Sequence, residues 1–253
     1  MQYLYFTGIV SALAICASPA AVGETAPTES PYVVVDYDRA SDAYRVVGDV
    51  SLLSQRYTPG STLQMIIGAV GLESGELAET TEIPCRTDGS QSERVARLTL
   101  PQALRESKAD FFSQLARRTG YEPIRKLLVE ARFVSAVPDA VNSFADLARG
   151  EPLRVTVFEQ NLFLQAFVKG SLPLRVETRR APERSLAVEA ERPVWGEAGL
   201  GEFSSDPPRF VSWFNGVARL RDGPHVITVA ALSSREEPVS LEQLRRYLAR
   251  PRR

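Results

Sequence analysis

The sequence predicts an α+β domain in which an antiparallel sheet, built from both chain ends, packs against a helical middle region. Three observations support this fold class. Strand-like apolar runs occur near the start of the chain, similar runs return in its last third, and apolar residues at helical spacing fill the part between them. With 253 residues, of which 44% are apolar, the chain is long enough to enclose one sizeable core.

The first strands and helices are assigned from local patterns. Two β-branched runs around a turn-rich loop predict an antiparallel hairpin. A buried helix follows the Pro59-Gly60 turn, and Thr99 is placed as the N-cap of the first helix in the middle region. The elements predicted in this half are strands Tyr32–Tyr37 and Tyr44–Gly48, the Ser61 helix, a strand at Thr80–Pro84, a loop at Thr87–Ser92, and helices Thr99–Glu106, Asp110–Arg118 and Glu122–Ala131.

The second half begins with a long loop and ends in a sheet. Weak periodicity between Phe133 and Glu151 predicts a loop that contains one short helix, and Gly, Pro and Asp turns separate the later strand patterns. Ser240 and Gln243 have the spacing of a capping box at the start of a terminal helix. The elements predicted here are helices Phe144–Ala148, Arg154–Lys169 and Ser240–Leu248, and strands Val194–Gly196, Gly199–Phe203, Phe210–Leu220 and His225–Ser233.

The first 20 residues are predicted to be a signal peptide. The run from Tyr3 to Cys16 is apolar, and Ser18-Pro-Ala20 has the small-x-small form of a signal-peptidase site. Cleavage would release a polar linker, residues 21–31, and one domain, residues 32–253, to the periplasm or cell envelope. Lipidation at Cys16 and an uncleaved anchor are the alternatives, and contact with a membrane is expected only through one of them.

The charge balance argues against a nucleic-acid partner. The chain carries 30 basic and 31 acidic residues, and no block of lysine and arginine offers a surface for a polyanion. The short basic tail at Arg250–Arg253 is interpreted as a solvated chain end. No nucleic acid is therefore predicted among the partners.

Ser61 is the first candidate for a catalytic residue. It opens an apolar helix, and free backbone N–H groups at a helix N-terminus favour negative charge that develops at a hydroxyl. A nucleophilic serine needs a base, which a lysine three residues later would supply from the same helix face. That position is Gln64, whose amide accepts no proton at a useful pH. The alternative interpretation is that Ser61 is only an N-cap.

The sequence offers little for thiol or metal chemistry. After cleavage Cys85 would be the only cysteine, so the mature chain would contain no internal disulfide. The only histidine, His225, lies in a distant strand pattern, which favours a buried structural Cys85 over a catalytic Cys/His pair. One histidine and one cysteine do not make a zinc cluster, so neither a metal nor a cofactor is predicted.

Several short segments stand in an order that is found in one enzyme family. They are Arg56–Gln64 with Gly71–Gly75, Leu98–Ser107 with Gln114–Gly120, Leu153–Gln160, Val194–Gly201 and Trp213–Gly216. Together they resemble the penicillin-recognising serine enzymes, above all the class D β-lactamases and the transpeptidase domains of penicillin-binding proteins. The resemblance extends from Tyr32 to Leu232 and implies the β-lactamase/transpeptidase fold.

The departures from this family fall on the residues that would carry its chemistry. The family's first segment reads roughly R-x-x-P-A-S-T-F-K, so Ser61 matches the nucleophile while Gln64 replaces the lysine. Ser107 matches the serine of the second motif. The third motif, Lys-Thr-Gly, is Glu197-Ala198-Gly199 here, and the carboxylate of Glu197 is expected to confront the carboxylate of a ligand.

The resemblance therefore implies an exported protein that has lost catalysis and serves as a binding or regulatory module of the cell envelope. Its ligand would be a peptidoglycan peptide, a β-lactam-like molecule or an envelope protein, held at the strand edge near Gly199. The alternative is a serine acyl-transferring hydrolase, such as a weak β-lactamase, a transpeptidase or an esterase, with Ser61 as nucleophile. Lys108 is a poor base for it, because a helix neighbour at i+1 points away from the face of Ser107. A third reading is an unrelated α+β domain.

Overall fold

The central sheet brings both ends of the chain together. The protein is described by a computed structural model that covers residues 5–6, 30–86, 95–134, 137–189, 194–205 and 207–250. Its strands are β1 (Tyr5–Phe6), β2 (Tyr32–Asp38), β3 (Ala43–Gly48), β4 (Ile83–Arg86), β5 (Val95–Leu98), β6 (Ala187–Glu189), β7 (Val194–Ser205), β8 (Pro208–Leu220) and β9 (Gly223–Ser233). Within these residues, seven strands form an antiparallel sheet in the order β1-β3-β2-β9-β8-β7-β6, and β4 pairs with β5.

The helices occupy the middle of the chain and its end. Two short 3-10 helices, Val50–Ser54 and Gly60–Leu63, precede the first α-helix. The α-helices are α1 (Gln64–Glu73), α2 (Leu100–Arg105), α3 (Ala109–Thr119), α4 (Tyr121–Glu130), α5 (Phe144–Ala148), α6 (Val157–Lys169), α7 (Val176–Ser185) and α8 (Val239–Leu248). The α+β class, with the sheet built from both chain ends around a helical middle, is confirmed.

Alternation along β2 decides which layer each of its residues faces. Val33 and Val35 belong to the large core that includes α1 and α6, whereas Val34 belongs to a smaller core under α8. All three valines are fully buried, so helices cover the sheet on both faces. The catalytic candidates lie on the side of the large core, where α1 is buried from Gln64 to Leu72.

Elements with strong local signals lie where the sequence predicts them. The first hairpin pairs β2 with β3, and α5 has the predicted bounds, Phe144–Ala148. Thr99 begins α2 with a capping box that it forms with Gln102. Each of these signals depends only on residues close in sequence, so the tertiary context had little to override.

Three of the predicted strands need correction, two of them in the last third of the chain. Val194–Gly196 and Gly199–Phe203 are not separate strands, because the ladder of β7 continues through Glu197 opposite Asn215. The predicted strand at Thr80–Pro84 begins later, at Ile83. No element was predicted for α7, in which half of the ten residues are charged and only Thr178, Ala181, Pro182 and Ser185 are buried.

Ser240 does not cap the terminal helix as predicted. The N-cap position of α8 is Pro238, and the Ser240 hydroxyl is fully buried against β8. It donates to the carbonyl of Trp213 at 2.8 Å and accepts a hydrogen bond from the Ser212 hydroxyl, also at 2.8 Å. The serine therefore fixes α8 to the sheet, since a buried hydroxyl left without partners would be costly.

Most of the predicted signal peptide and linker lies outside the described residues. Tyr5–Phe6 is described and forms β1 against β3. The loop at Thr87–Ser92 and the end of the basic tail also lie outside them. Cleavage after Ala20 and lipidation at Cys16 stay predictions. Among the described residues, no helix is long and apolar enough to cross a bilayer.

Candidate active site

Ser61 lies on the 3-10 turn that leads into α1, at the floor of a cleft. The segment before it is fixed to the sheet, because the indole N–H of Trp213 donates to the carbonyl of Thr58 at 2.8 Å. The Thr58 hydroxyl in turn donates to the carbonyl of Glu202, also at 2.8 Å. Ser61 itself is half-buried. The position of Ser61 is thus set by hydrogen bonds that link Thr58 to β7 and β8.

The backbone of β7 lies very close to this turn. A Cβ atom added to Gly60, where φ is +60°, would stand 2.1 Å from the carbonyl oxygen of Leu200. A Cβ atom added to Gly199 would stand 3.1 Å from the backbone nitrogen of Ser61 and 3.0 Å from that of Thr62. The approach at Gly60 requires glycine, so the family's alanine before the nucleophile would not fit this arrangement, whereas a Cβ atom at Gly199 would need its neighbours to shift by a few tenths of an ångström.

The cleft above Ser61 has a volume of about 1050 Å³. It brings together four residues that the sequence predicts for the site: Ser61, Ser107, Ala198 and Gly199. The other two, Gln64 and Glu197, do not line it and lie buried. The structure therefore keeps the serines of the first two motifs in the cleft but removes both lysine positions from its surface.

Gln64 is held as a structural amide. Its side chain is 1% exposed, and its Nε2 donates to the carbonyl of Ala148 at 3.3 Å. Its Oε1 has no hydrogen-bond partner among the described residues. An amide in this position accepts no proton from Ser61, and no described side chain forms a hydrogen bond with the Ser61 hydroxyl.

Glu197 does not confront a ligand, and that expectation is wrong. The residue is 1% exposed and points inward from β7, because the next residues on the same strand face, Gly199 and Gly201, are the ones pressed against the turn. Neither carboxyl oxygen makes a hydrogen bond within the described part of the chain. Burial raises the pKa of this carboxyl well above its usual value of 4.5, although the nearby N–H of Met65 opposes the shift. Burial therefore favours the neutral acid over the carboxylate.

Lys108 does not replace the missing base. Ser107 and Ala109 on either side of it line the cleft, but Lys108 does not. Its charge acts instead on Cys85, whose thiol is 1% exposed. Burial raises the pKa of that thiol to about 11, which the charge of Lys108 partly opposes. A thiol in this state is not reactive at neutral pH, as expected for a structural cysteine.

Ser107 has a strained backbone. Its φ is +49°, a value that favours glycine over residues with a Cβ atom. We expect Ser107→Gly to stabilise the fold by up to about 1 kcal/mol, since relief of strain exceeds the added chain entropy of glycine. Ser107→Ala keeps the Cβ atom and should give no gain. Urea denaturation of both variants checks this, and a Ser107→Gly variant less stable than Ser107→Ala would show that the strain is smaller than the entropy cost of glycine.

Charged side chains that the sequence analysis did not assign to the site also line the cleft. They are Arg149, Glu151, Arg154, Glu202 and Glu236. Arg149 is paired with Asp146 and Glu151, whereas the hydrogen bonds of Arg154 go to the carbonyls of Glu151 and Leu153. Arg154 lies in a segment that carried the family resemblance, which was the only signal in the sequence that could have found it.

The sequence comparison decides the family. Residues 34–177 match the penicillin binding protein transpeptidase domain. The chain belongs to that family. β-Lactamase OXA-3 of Pseudomonas aeruginosa is 27% identical over 163 residues, which are 63% of this chain and 58% of that protein. β-Lactamase OXA-11 of the same organism is 25% identical over 186 residues, which are 70% of this chain and 68% of OXA-11.

Solved structures of a class D β-lactamase and of a penicillin receptor share the fold. The class D β-lactamase YbXI from Nostoc has a TM-score of 0.73 at 21% identity, over 87% of this chain and 92% of that one. The C-terminal domain of the BlaR penicillin receptor from Bacillus licheniformis has a TM-score of 0.72 at 18% identity, over 87% and 91% of the two chains. The β-lactamase/transpeptidase fold implied by the sequence motifs is therefore confirmed.

Proposed function

We propose that this transpeptidase-family protein is an exported, non-catalytic module of the cell envelope that holds a ligand in the Ser61 cleft without forming an acyl-enzyme. One observation carries the proposal: the residues at both lysine positions, Gln64 and Glu197, are buried, the first an amide and the second a carboxyl whose pKa is raised by burial. Losing a general base typically slows a reaction about a hundred- to ten-thousand-fold.

The cleft keeps the means to hold an extended ligand. β6 pairs with β7 only near Val194 and Trp195, and within the described residues no strand covers the edge of β7 beyond them. A peptide can add to such an edge through backbone hydrogen bonds. Both a peptidoglycan peptide and a β-lactam-like molecule offer the amide groups that this contact requires. The cationic Arg154 on the cleft wall suits the carboxylate of either.

A regulatory role has a structural precedent. The C-terminal domain of a penicillin receptor has the same fold as this chain, so a receptor function is compatible with this fold. We infer that occupancy of the cleft is reported to an envelope protein. Export rests on the predicted signal peptide at residues 1–20, whose cleavage would leave the domain on the outer side of the membrane.

A second candidate function is acyl transfer by Ser61 on an activated substrate. The observation that favours it is the strained Ser107, whose hydroxyl is kept in the cleft at φ +49°. Strain of this kind often marks functional positions. This alternative lacks an activating base within the described residues, and the buried Glu197 cannot select a cationic substrate from beneath the cleft floor.

Fluorescent penicillin tests both candidates with one probe. We expect reversible binding, seen as a rise in fluorescence polarisation. No dye should remain attached to the chain after denaturation in detergent. Ser61→Ala should bind about as well as the natural chain, because the proposed contacts with the ligand are made by the edge of β7 and by Arg154. Ala198→Trp fills the cleft from β7 and should abolish the polarisation signal.

Two results would change the conclusion. Dye that remains on the denatured chain but is absent from Ser61→Ala would support the acyl-transfer alternative. No polarisation signal at high protein concentration would exclude penicillin-like ligands. The triple variant Gln64→Lys, Glu197→Lys and Ala198→Thr restores the three family side chains. Covalent labelling of this variant by the penicillin would show that Gln64, Glu197 and Ala198 block acylation in the natural chain.

A further inference from the structure

His225 is the centre of a second polar cluster, on the opposite face of the sheet from α1. Its side chain is 3% exposed, and its Nδ1 lies 2.8 Å from a carboxylate oxygen of Asp36. The Tyr247 hydroxyl of α8 donates to the other oxygen of Asp36. A carboxylate at Nδ1 assigns the proton to that nitrogen, so the imidazole is fixed with Nε2 directed away from Asp36.

Two further aspartates converge on Nε2 from neighbouring hairpin ends. Asp222, in the turn between β8 and β9, places Oδ1 at 3.1 Å, and Asp38, at the end of β2, places Oδ1 at 3.9 Å. Asp38 lies directly opposite His225 in the pairing of β2 with β9. The two hairpin ends are joined by a hydrogen bond from the Arg39 N–H to the Pro224 carbonyl. The Nε2 of His225 and the Oδ1 atoms of Asp38 and Asp222 all lie within 4.8 Å of one another.

The ring nitrogen Nε2 and two carboxylate oxygens converge at the outer end of the cluster, where Asp38 Oδ1 also accepts a hydrogen bond from the Ala40 N–H at 2.8 Å. With Nδ1–H directed at Asp36, only one N–H is left, and Asp222 is within its hydrogen-bonding distance while Asp38 is not. Two carboxylate oxygens and one ring nitrogen therefore face one point near the surface. A divalent cation can take one bond from each of them at once, at ligand distances of about 2.0–2.2 Å.

We propose that His225 Nε2, Asp38 Oδ1 and Asp222 Oδ1 form a binding site for a divalent transition-metal ion of the Zn²⁺ type. One nitrogen and two carboxylate oxygens suit such an ion better than Ca²⁺, which prefers oxygen ligands alone. Asp36 is the outer partner that orients the ligating histidine, a common feature of metal-bound imidazole. Asp222 is half-exposed, so water completes the coordination from the solvent side.

The proposal departs from the expectation, drawn from the sequence, that the chain has no metal cluster. That expectation counted only histidine and cysteine, and the carboxylates become ligands only through strand register, which brings Asp38 and His225 together. A bound ion would tie the β2–β3 turn to the β8–β9 turn. Its role would be separate from the Ser61 cleft and does not depend on what that cleft binds.

Calorimetric titration of the untagged full chain with ZnCl₂ tests the proposal. We expect one equivalent to bind, and we expect Zn²⁺ to raise the midpoint of thermal unfolding. Asp38→Asn and Asp222→Asn, which alter exposed or partly exposed groups, should each weaken binding by at least the roughly 10- to 100-fold that loss of an outer partner costs. His225→Gln should weaken it further, and Asp139→Asn, an exposed acid far from the site, should have no effect.

Two outcomes would overturn the proposal. The first is that ZnCl₂ gives no saturable binding to the natural chain. The second is that Asp38→Asn and Asp222→Asn bind Zn²⁺ as tightly as the natural chain does, which would place the ion elsewhere. Circular dichroism of each variant, recorded without metal, separates weakened binding from loss of the fold.

Discussion

Replacing Glu197 by glutamine is expected to stabilise the folded chain, by an amount that grows as the pH rises. The buried carboxyl has a raised pKa, so the folded state keeps its proton at pH values where the unfolded state has released it. Stability is therefore greatest below the unfolded-state pKa near 4.5 and falls as the pH rises toward the folded-state pKa. The loss is about 1.4 kcal/mol for each pH unit in that window.

Thermal unfolding of both chains between pH 4 and pH 8 measures this difference. The gain from Glu197→Gln should be small at pH 4 and should increase steadily above it. Glu202→Gln changes an exposed carboxylate on the same strand and should leave the profile unchanged, since that group stays hydrated. Parallel profiles for Glu197→Gln and the natural chain would mean that water or a cation reaches Glu197 in the folded state.

Replacing Gly60 by alanine is expected to destabilise the chain by about 2 to 5 kcal/mol. Alanine at φ +60° is strained, and its Cβ atom would stand 2.1 Å from the Leu200 carbonyl oxygen and 2.6 Å from the Leu200 carbonyl carbon. Both are backbone atoms of a paired strand, so β7 has to move away from the turn. The substitution restores the alanine of the family motif, yet this chain should not tolerate it.

Gly75→Ala provides the matched control for this prediction. Gly75 also has a positive φ, +79°, but a Cβ atom there would meet nothing within 4 Å. Gly75→Ala should therefore lower the free energy of unfolding only by the conformational strain, about 1 kcal/mol. Denaturant titration of the two variants isolates the contact with β7. Equal losses would show that β7 does not press against the Ser61 turn at Gly60.

The parts of the fold that the sequence predicted are those set by neighbours in the chain. The first hairpin follows from two β-branched runs around a turn, and α2 follows from the Thr99 capping box. Ser240 has a similar local signal, but the prediction that it caps α8 was wrong, because its hydroxyl forms hydrogen bonds with Ser212 and Trp213 on β8 instead. A contact between elements distant in sequence decided its role, and no local pattern records such a contact.

The candidate site shows the same limit. Motif order was enough to place Ser61, Ser107, Ala198 and Gly199 in one cleft. The direction of Glu197 was not predictable, because it depends on which face of β7 the turn at Gly60 presses against. The cluster around His225 was missed for a related reason, since register between β2 and β9 brings its members together.

The most direct test of the central claim is the number of β-lactam rings opened per chain, measured with a chromogenic cephalosporin after prolonged incubation. This quantity counts a single acylation as one and turnover as more than one, so it covers both ways in which Ser61 could act. We expect no ring opening above the level of the Ser61→Ala variant. One or more rings opened per natural chain, and none by Ser61→Ala, would contradict it.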